Sequence, residues 1–218
     1  MNYPKEFIDD MQKLWTRYGS REEAEAFFAA LDAPRCRRSL RFNLQKLRRA
    51  GVVDDRPESL KNYLEDFCQR YQIPFQRVLW TQAGLYYPDT LRASQCIEYL
   101  QGLFYIQEAS AMLPAELLDA APGSRMIDLC AAPGGKTLRM AEALEEGGWL
   151  FSNDYSRSRA KVLRYNVRHF GLQRVAVYSA SPEAFAQEKP ASLDAVLIDE
   201  PCSGEGMIRR KPSSRLAR

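Results

Sequence analysis

Three clusters in this 218-residue chain have residue types at spacings that suit chemistry. The first is residues 126–137, Met-Ile-Asp-Leu-Cys-Ala-Ala-Pro-Gly-Gly-Lys-Thr. An apolar run ends in Asp128, and a tight loop follows with Cys130, Ala131, Ala132, Pro133, Gly134 and Gly135. A helical stretch then begins near Lys136. Paired glycines let a chain turn sharply and let a ligand approach main-chain atoms. The second is Asn153-Asp154, which puts a carboxylate 19 residues after Gly135. At the tip of a second strand such an acid can accept hydrogen bonds from both hydroxyls of a ribose. The third is Asp199-Glu200-Pro201-Cys202, an acid and a thiol at the end of an apolar run. An activated thiol is what covalent catalysis of this kind requires. The one histidine, His169, lies in a polar helical stretch and reads as a plain surface residue, so the chemistry runs without a histidine base.

Two ligands compete for the loop. Gly-Gly-Lys-Thr resembles the tail of the phosphate-binding motif G-x-x-x-x-G-K-S/T, and Ala195–Pro201 resembles the strand and acid that hold magnesium in a P-loop NTPase. Yet the opening glycine of that motif falls on Cys130, and Pro133 has no N–H to aim at a phosphate oxygen. S-adenosylmethionine (SAM) carries no phosphate and tolerates such a loop. A nicotinamide enzyme shares the ribose acid but usually shows G-x-G-x-x-G. The loop and Asp154 together favour SAM, with the NTPase as the lesser alternative. An adenine-N6 methyltransferase usually has an aromatic after paired prolines at the fourth strand. The thiol of Cys202 favours carbon methylation instead.

At DLCAAPGGKT and DEPCSGEGM the sequence resembles the NOL/NOP/Sun (RsmB/RsmF-like) family of SAM-dependent RNA cytosine-C5 methyltransferases. RFN at 41–43, residues 104–118 and residues 153–171 resemble it as well, so the likeness covers most of the chain. It implies a Rossmann-like SAM domain behind an N-terminal RNA-binding region. Cys130 through Lys136 then wrap the methionine and sugar of SAM, and Asp154 takes the ribose. Ser181 and Glu183 flank the adenine, Ser181 standing where many relatives have Asp. Asp199 lies near the methyl donor and the target cytosine, and Glu200 stands where a small Ala is usual. In this chemistry a thiolate adds at C6, C5 attacks the sulfonium methyl, a base removes the C5 proton and the thiolate leaves. The family's nucleophile is a cysteine in a Thr-Cys motif on the next strand, and the Pro-Cys thiol, here Cys202, helps release product. This chain contains no Thr-Cys. The likeness implies ribosomal RNA as the substrate, with transfer RNA second, and a monomer when complete.

The elements that must position these residues follow from periodicity. Apolar spacing predicts helices over 4–18 and 20–31, the second opened by Ser20 with Glu23 as a capping-box partner. A short strand at 39–43 and helices at 44–50 and 58–71 come next. Short apolar runs between 75 and 107 read as strands and turns, and a helix over 108–120 tolerates Pro114. From 124 onward the chain alternates. Strands at 125–130, 149–153, 174–179 and 194–199 enclose helices at 136–146, 156–169 and 182–187. This predicts an α/β fold with a parallel sheet and right-handed crossovers, its ligand beyond the carboxyl ends of the strands. The expected division is an α+β RNA-binding region at 1–105 and a Rossmann-like methyltransferase domain at 106–218. Only four parallel strands are visible, so the fourth becomes an exposed apolar edge and the chain reads as an incomplete copy.

Composition excludes other classes. No apolar run approaches the roughly 20 residues that span a bilayer, and the acidic N-terminus lacks a signal core. The five cysteines are widely spaced with no C-x-x-C, which argues against zinc and disulfides and fits a cytoplasmic protein without a metal. Residues 35–49 hold seven basic residues and no acid, and the last ten hold five and no acid, which suits RNA. The competing reading from another class is an RNA-binding fragment without catalysis.

Overall fold

A computed structural model describes residues 3–32, 37–118, 120–144, 147–188 and 192–201. Residues up to Cys36 and residues Arg37–Glu200 belong to two separate compact units. The first holds α1 (Lys5–Tyr18) and α2 (Arg21–Asp32). The expected capping box forms between them. Ser20 N–H donates to Glu23 Oε2 at 2.7 Å, and Glu23 N–H donates to Ser20 Oγ at 3.2 Å. Trp15 meets Phe27 across the turn with ring centroids 5.9 Å apart.

The second unit contains two sheets. Strand β1 (Arg38–Phe42) lies between β2 (Gly84–Tyr87) and β3 (Phe104–Ile106), antiparallel to both. Helices α3 (Leu44–Arg49) and α4 (Pro57–Arg70) bring Leu47, Leu64 and Phe67 onto it. Phe42 sits edge-on to Phe67 and Phe104 at 5.1 and 5.6 Å, the geometry aromatic quadrupoles favour. The region read as strands and turns also contains a short helix, α5 (Ile97–Leu100). Four residues are too few to display a helical period, which is why the pattern hides it.

Helix α6 (Ala109–Leu117) keeps Pro114 inside it and packs on α7 and β1. From there the expected alternation appears: β4 (Arg125–Asp128), α7 (Gly135–Glu142), β5 (Trp149–Asn153), α8 (Arg157–His169), β6 (Val175–Tyr178), α9 (Pro182–Glu188) and β7 (Ala195–Leu197). The four strands are parallel in the order β6-β5-β4-β7. That order is third, second, first, fourth along the chain, as in the Rossmann-like arrangement, and it reverses at β4. The core between this sheet and its helices is built on Met126, Leu138, Met140, Ala141, Leu150 and Leu163. β7 lies at the edge of the described sheet, with Val196 and Ile198 exposed. The boundary expected at 105/106 falls inside β3 itself, within this unit.

Two surface expectations change. Arg41, counted in the basic stretch facing RNA, is 1% exposed. Its guanidinium meets Glu142 of α7 in two hydrogen bonds of 2.9 and 2.7 Å, with Glu116 of α6 at 3.5 Å. Its neighbours are engaged too. Lys46 Nζ donates to the carbonyls of Gln101 and His169, and Arg49 donates to the Gly171 carbonyl. Arg38 pairs with Asp89, and Arg48 with Asp55. These cations close helix ends and ion pairs, so the stretch offers RNA less free charge than its composition suggests. His169 is half-buried rather than a plain surface residue, because its ring Nε2 lies 3.1 Å from the Tyr99 carbonyl and it stacks on Tyr165.

Candidate functional site

The loop leaving β4 is held by carbonyl and carboxylate anchors. Asp128, fully buried, accepts from Thr137 Oγ1 at 2.9 Å and from the Cys130 N–H. Ala131 N–H donates to the Asn153 carbonyl at 2.7 Å. Helix α8 reaches back to the loop: Arg159 Nη2 donates to the Ala132 carbonyl at 2.8 Å, and Asn166 Nδ2 to the Pro133 carbonyl at 2.7 Å. The paired glycines also serve the packing of the loop. Gly134 turns the chain at φ +117°, and a Cβ there would press on Leu163. A Cβ at Gly135 would meet the Gln107 amide at 2.8 Å and the Tyr105 ring at 3.0 Å. Gly135 therefore lets α7 start against β3, a packing role.

Asn153 joins the loops after β4 and β6. Its Nδ2 donates to the Leu129 carbonyl at 3.1 Å and to the Ala180 carbonyl at 3.0 Å, while its Oδ1 accepts from Ala180 N–H at 2.9 Å. Thr137, Asn153, Arg159 and Asn166 carried no assigned role in the sequence. The one local signal was Asn153 itself, since asparagine is disfavoured in strands.

Asp154 is 3% exposed. Its Oδ1 accepts from Ser156 N–H at 3.0 Å, turning the chain into α8. Its Oδ2 has the Arg159 guanidinium at 3.3 Å but no hydrogen bond. Asp128 Oδ1 is likewise buried without a hydrogen-bond donor among the described residues. Burial pushes the Asp128 carboxyl up to about 6. Burial, followed by the nearby Asp128 and Asp154 charges, also pushes the Cys130 thiol up, leaving it a poor nucleophile. Lys136 Nζ donates to Asp199 Oδ2 at 2.6 Å, so the structure brings these two together. The Ser181 carbonyl accepts from Ala184 N–H at the start of α9, and the Ser181 side chain hydrogen-bonds the Glu183 carboxylate. Asp199 and Glu200 follow β7. Cys202 lies outside the described residues.

The ends of β4, β5 and β7 thus present Asp128, Asp154, Asp199 and Glu200, with Lys136 tied to one of them. A polyphosphate would meet net repulsion here. A ligand with a cationic centre and hydroxyl donors would satisfy the two orphaned oxygens, and SAM has a sulfonium, an ammonium and two ribose hydroxyls.

Comparison with known proteins agrees with this geometry. Residues 115–218 match the family described as 16S rRNA methyltransferase RsmB/F, and residues 3–109 match the N-terminal domain of 16S rRNA methyltransferase RsmF. Ribosomal RNA small subunit methyltransferase F of Pectobacterium atrosepticum is 36% identical over 218 residues, covering 97% of this chain and 42% of the relative. That of Serratia proteamaculans is 39% identical over 194 residues, covering 86% and 38%. The chain spans about two fifths of the length of these curated relatives. Among solved structures, a methyltransferase homolog protein from Pyrococcus horikoshii superposes with a TM-score of 0.66 at 28% identity, covering 95% of this chain and 66% of that one. NSun6 of the same organism shares the fold at a TM-score of 0.73 and 18% identity, covering 92% and 71%. With both its N-terminal region and its parallel sheet matched, the chain belongs to the RsmB/F family of SAM-dependent 16S rRNA methyltransferases.

Proposed function

We propose that the chain binds SAM beyond the carboxyl ends of β4–β7 and acts in methylation of C5 of a cytosine in RNA. Ribosomal RNA is the first candidate substrate and transfer RNA the second. The observation that carries this reading is a pair of carboxylate oxygens at the ends of β4 and β5, Asp128 Oδ1 and Asp154 Oδ2, buried without hydrogen-bond donors among the described residues. Bound SAM supplies a methyl group on a positively charged sulfur. In this reading residues 130–136 hold its methionine and sugar, Asp154 its ribose, and Ser181 with Glu183 its adenine edge. Lys136, in the first turn of α7, supports the methionine carboxylate. Asp199 faces cytosine N3 and offsets the charge that builds on the ring as a thiolate adds at C6. Cys202 stands two residues past Glu200, near enough in sequence to help the adduct resolve. The region through Tyr105 contributes to holding RNA, and residues 106–218 carry the cofactor. The free thiols of Cys68, Cys96 and Cys130 suit a cytoplasmic location.

Melting curves with SAM and with ATP test the cofactor. SAM is expected to raise the melting temperature and ATP to leave it unchanged; an ATP shift without a SAM shift overturns the reading. Radiolabelled methyl incorporation at cytosine in ribosomal RNA tests the reaction. Salt-sensitive RNA binding with no incorporation favours RNA binding without catalysis.

A further inference from the structure

Helix α8 carries a stripe of charge that the rest of the described molecule leaves unneutralised. Its thirteen residues include Arg157, Arg159, Lys161, Arg164 and Arg168 and no acid. Arg159 faces the cofactor loop. The other four recur at steps of four, three and four residues, the repeat that keeps side chains on one helix face. All four are exposed. Among the described residues none of the four has an ion-pair partner, and Arg164 makes a single long contact of 3.5 Å to the Val177 carbonyl. This contrasts with β1 and α3, whose cations are bound to carboxylates and helix ends.

An aromatic platform runs beside the stripe. Tyr165, 65% exposed, stacks on His169 at 5.8 Å and 7°. The Tyr99 carbonyl pins the His169 ring in turn. Tyr155, at the site end of the helix and next to Asp154, is 76% exposed. A line of cations with a flat exposed ring beside it is the chemistry that holds a single strand, by phosphate neutralisation and base stacking.

We propose that the outer face of α8 is a binding track for a single-stranded RNA segment, leading from Tyr155, beside Asp154, down to Arg168. The inference rests on the RNA reading above and places its contact surface. From Arg157 to Arg168 the track runs about 16 Å along the helix axis.

The test uses the full chain and a labelled single-stranded ribosomal RNA oligonucleotide, with anisotropy read across a potassium chloride series. The variant Arg157→Gln with Lys161→Gln, Arg164→Gln and Arg168→Gln keeps helix propensity while removing four charges. Its log Kd against log salt slope is expected to fall by about 3, at roughly 0.7 per lost phosphate contact. The milder pair Lys161→Gln with Arg168→Gln is expected to give about half that change, which keeps the test valid if the fourfold variant folds poorly. Tyr165→Ala is expected to weaken binding about fivefold or more with the slope unchanged. The SAM-induced melting shift is expected to persist in all three. A wild-type salt slope in both charge variants overturns the track, as does stronger binding to phosphatidylserine vesicles than to RNA. Failure of the unmodified chain to bind RNA while SAM still shifts its melting overturns the track and leaves the cofactor reading standing. Loss of both signals overturns the functional reading itself.

Discussion

Arg41→Met separates a buried structural cation from a surface one. The guanidinium is 1% exposed and bonded twice to Glu142, which also accepts from Leu44 N–H at 3.2 Å. Glu116 stands on its other side and is held by Arg139 at 2.7 Å. Burial works against the charge of Arg41, but Glu142 and then Glu116 more than offset it, and its pKa stands above the ordinary value. Methionine fills similar volume and leaves Glu142 buried without its cation. Breaking a buried pair from one side costs about 3–5 kcal/mol. For a chain of this size that lowers the melting temperature by roughly 6–20 °C, at about 2–4 °C per kcal/mol. Arg41→Met with Glu142→Leu removes both charges and is expected to recover most of the loss. Thermal melts and urea titrations of the four forms close the cycle. If Arg41 were a phosphate contact on the surface, the single variant would melt within about 2 °C of the parent and lose RNA affinity instead, and that result refutes the reasoning.

Three further outcomes follow from the site. Asn153→Ala removes two donated bonds and one accepted bond, costing about 3 kcal/mol at roughly 1 kcal/mol each. It should weaken SAM binding by tenfold or more, and Asn153→Asp should not rescue it, because a carboxylate would face two carbonyls; SAM affinity within twofold of the parent in calorimetry sinks the clamp. Asp128 has its pKa raised by burial to about 6, so its contribution to stability is fully present below the unfolded value near 3.9 and is lost as pH rises through about 6. Asp128→Asn should flatten that fall and gain up to about 3 kcal/mol at pH 7.5; urea midpoints that track the parent in parallel from pH 4.5 to 7.5 count against it. Lys136→Ala should weaken SAM binding about tenfold, the scale of one charge-assisted bond, and unchanged affinity removes Lys136 from the cofactor's carboxylate.

Much of the architecture was legible locally. Strand and helix periods repeat within a few residues, so the alternation from β4 to β7 could be read before its topology was known. The Ser20–Glu23 capping box was equally local. The departure of the loop after β4 from a phosphate-binding motif was legible in Cys130 and Pro133 alone, because it needs only which residues lack an N–H or a glycine's freedom. Helix α5 escaped because four residues show no period.

What the sequence determined by itself was the chemistry available: a small-residue loop after Asp128, a carboxylate at Asp154, an acid and thiol after the fourth strand, and charge without a histidine base. What only the tertiary structure decided was where each polar group finds its partner. Arg41 and Glu142 are 101 residues apart in sequence, and Asn43 reaches the Phe170 carbonyl across 127. A basic residue looks the same in sequence whether it ends in a buried pair or faces solvent. The difference is the desolvation of its charge, and the folded chain sets that by bringing a carboxylate to Arg41 and leaving the outer face of α8 to water.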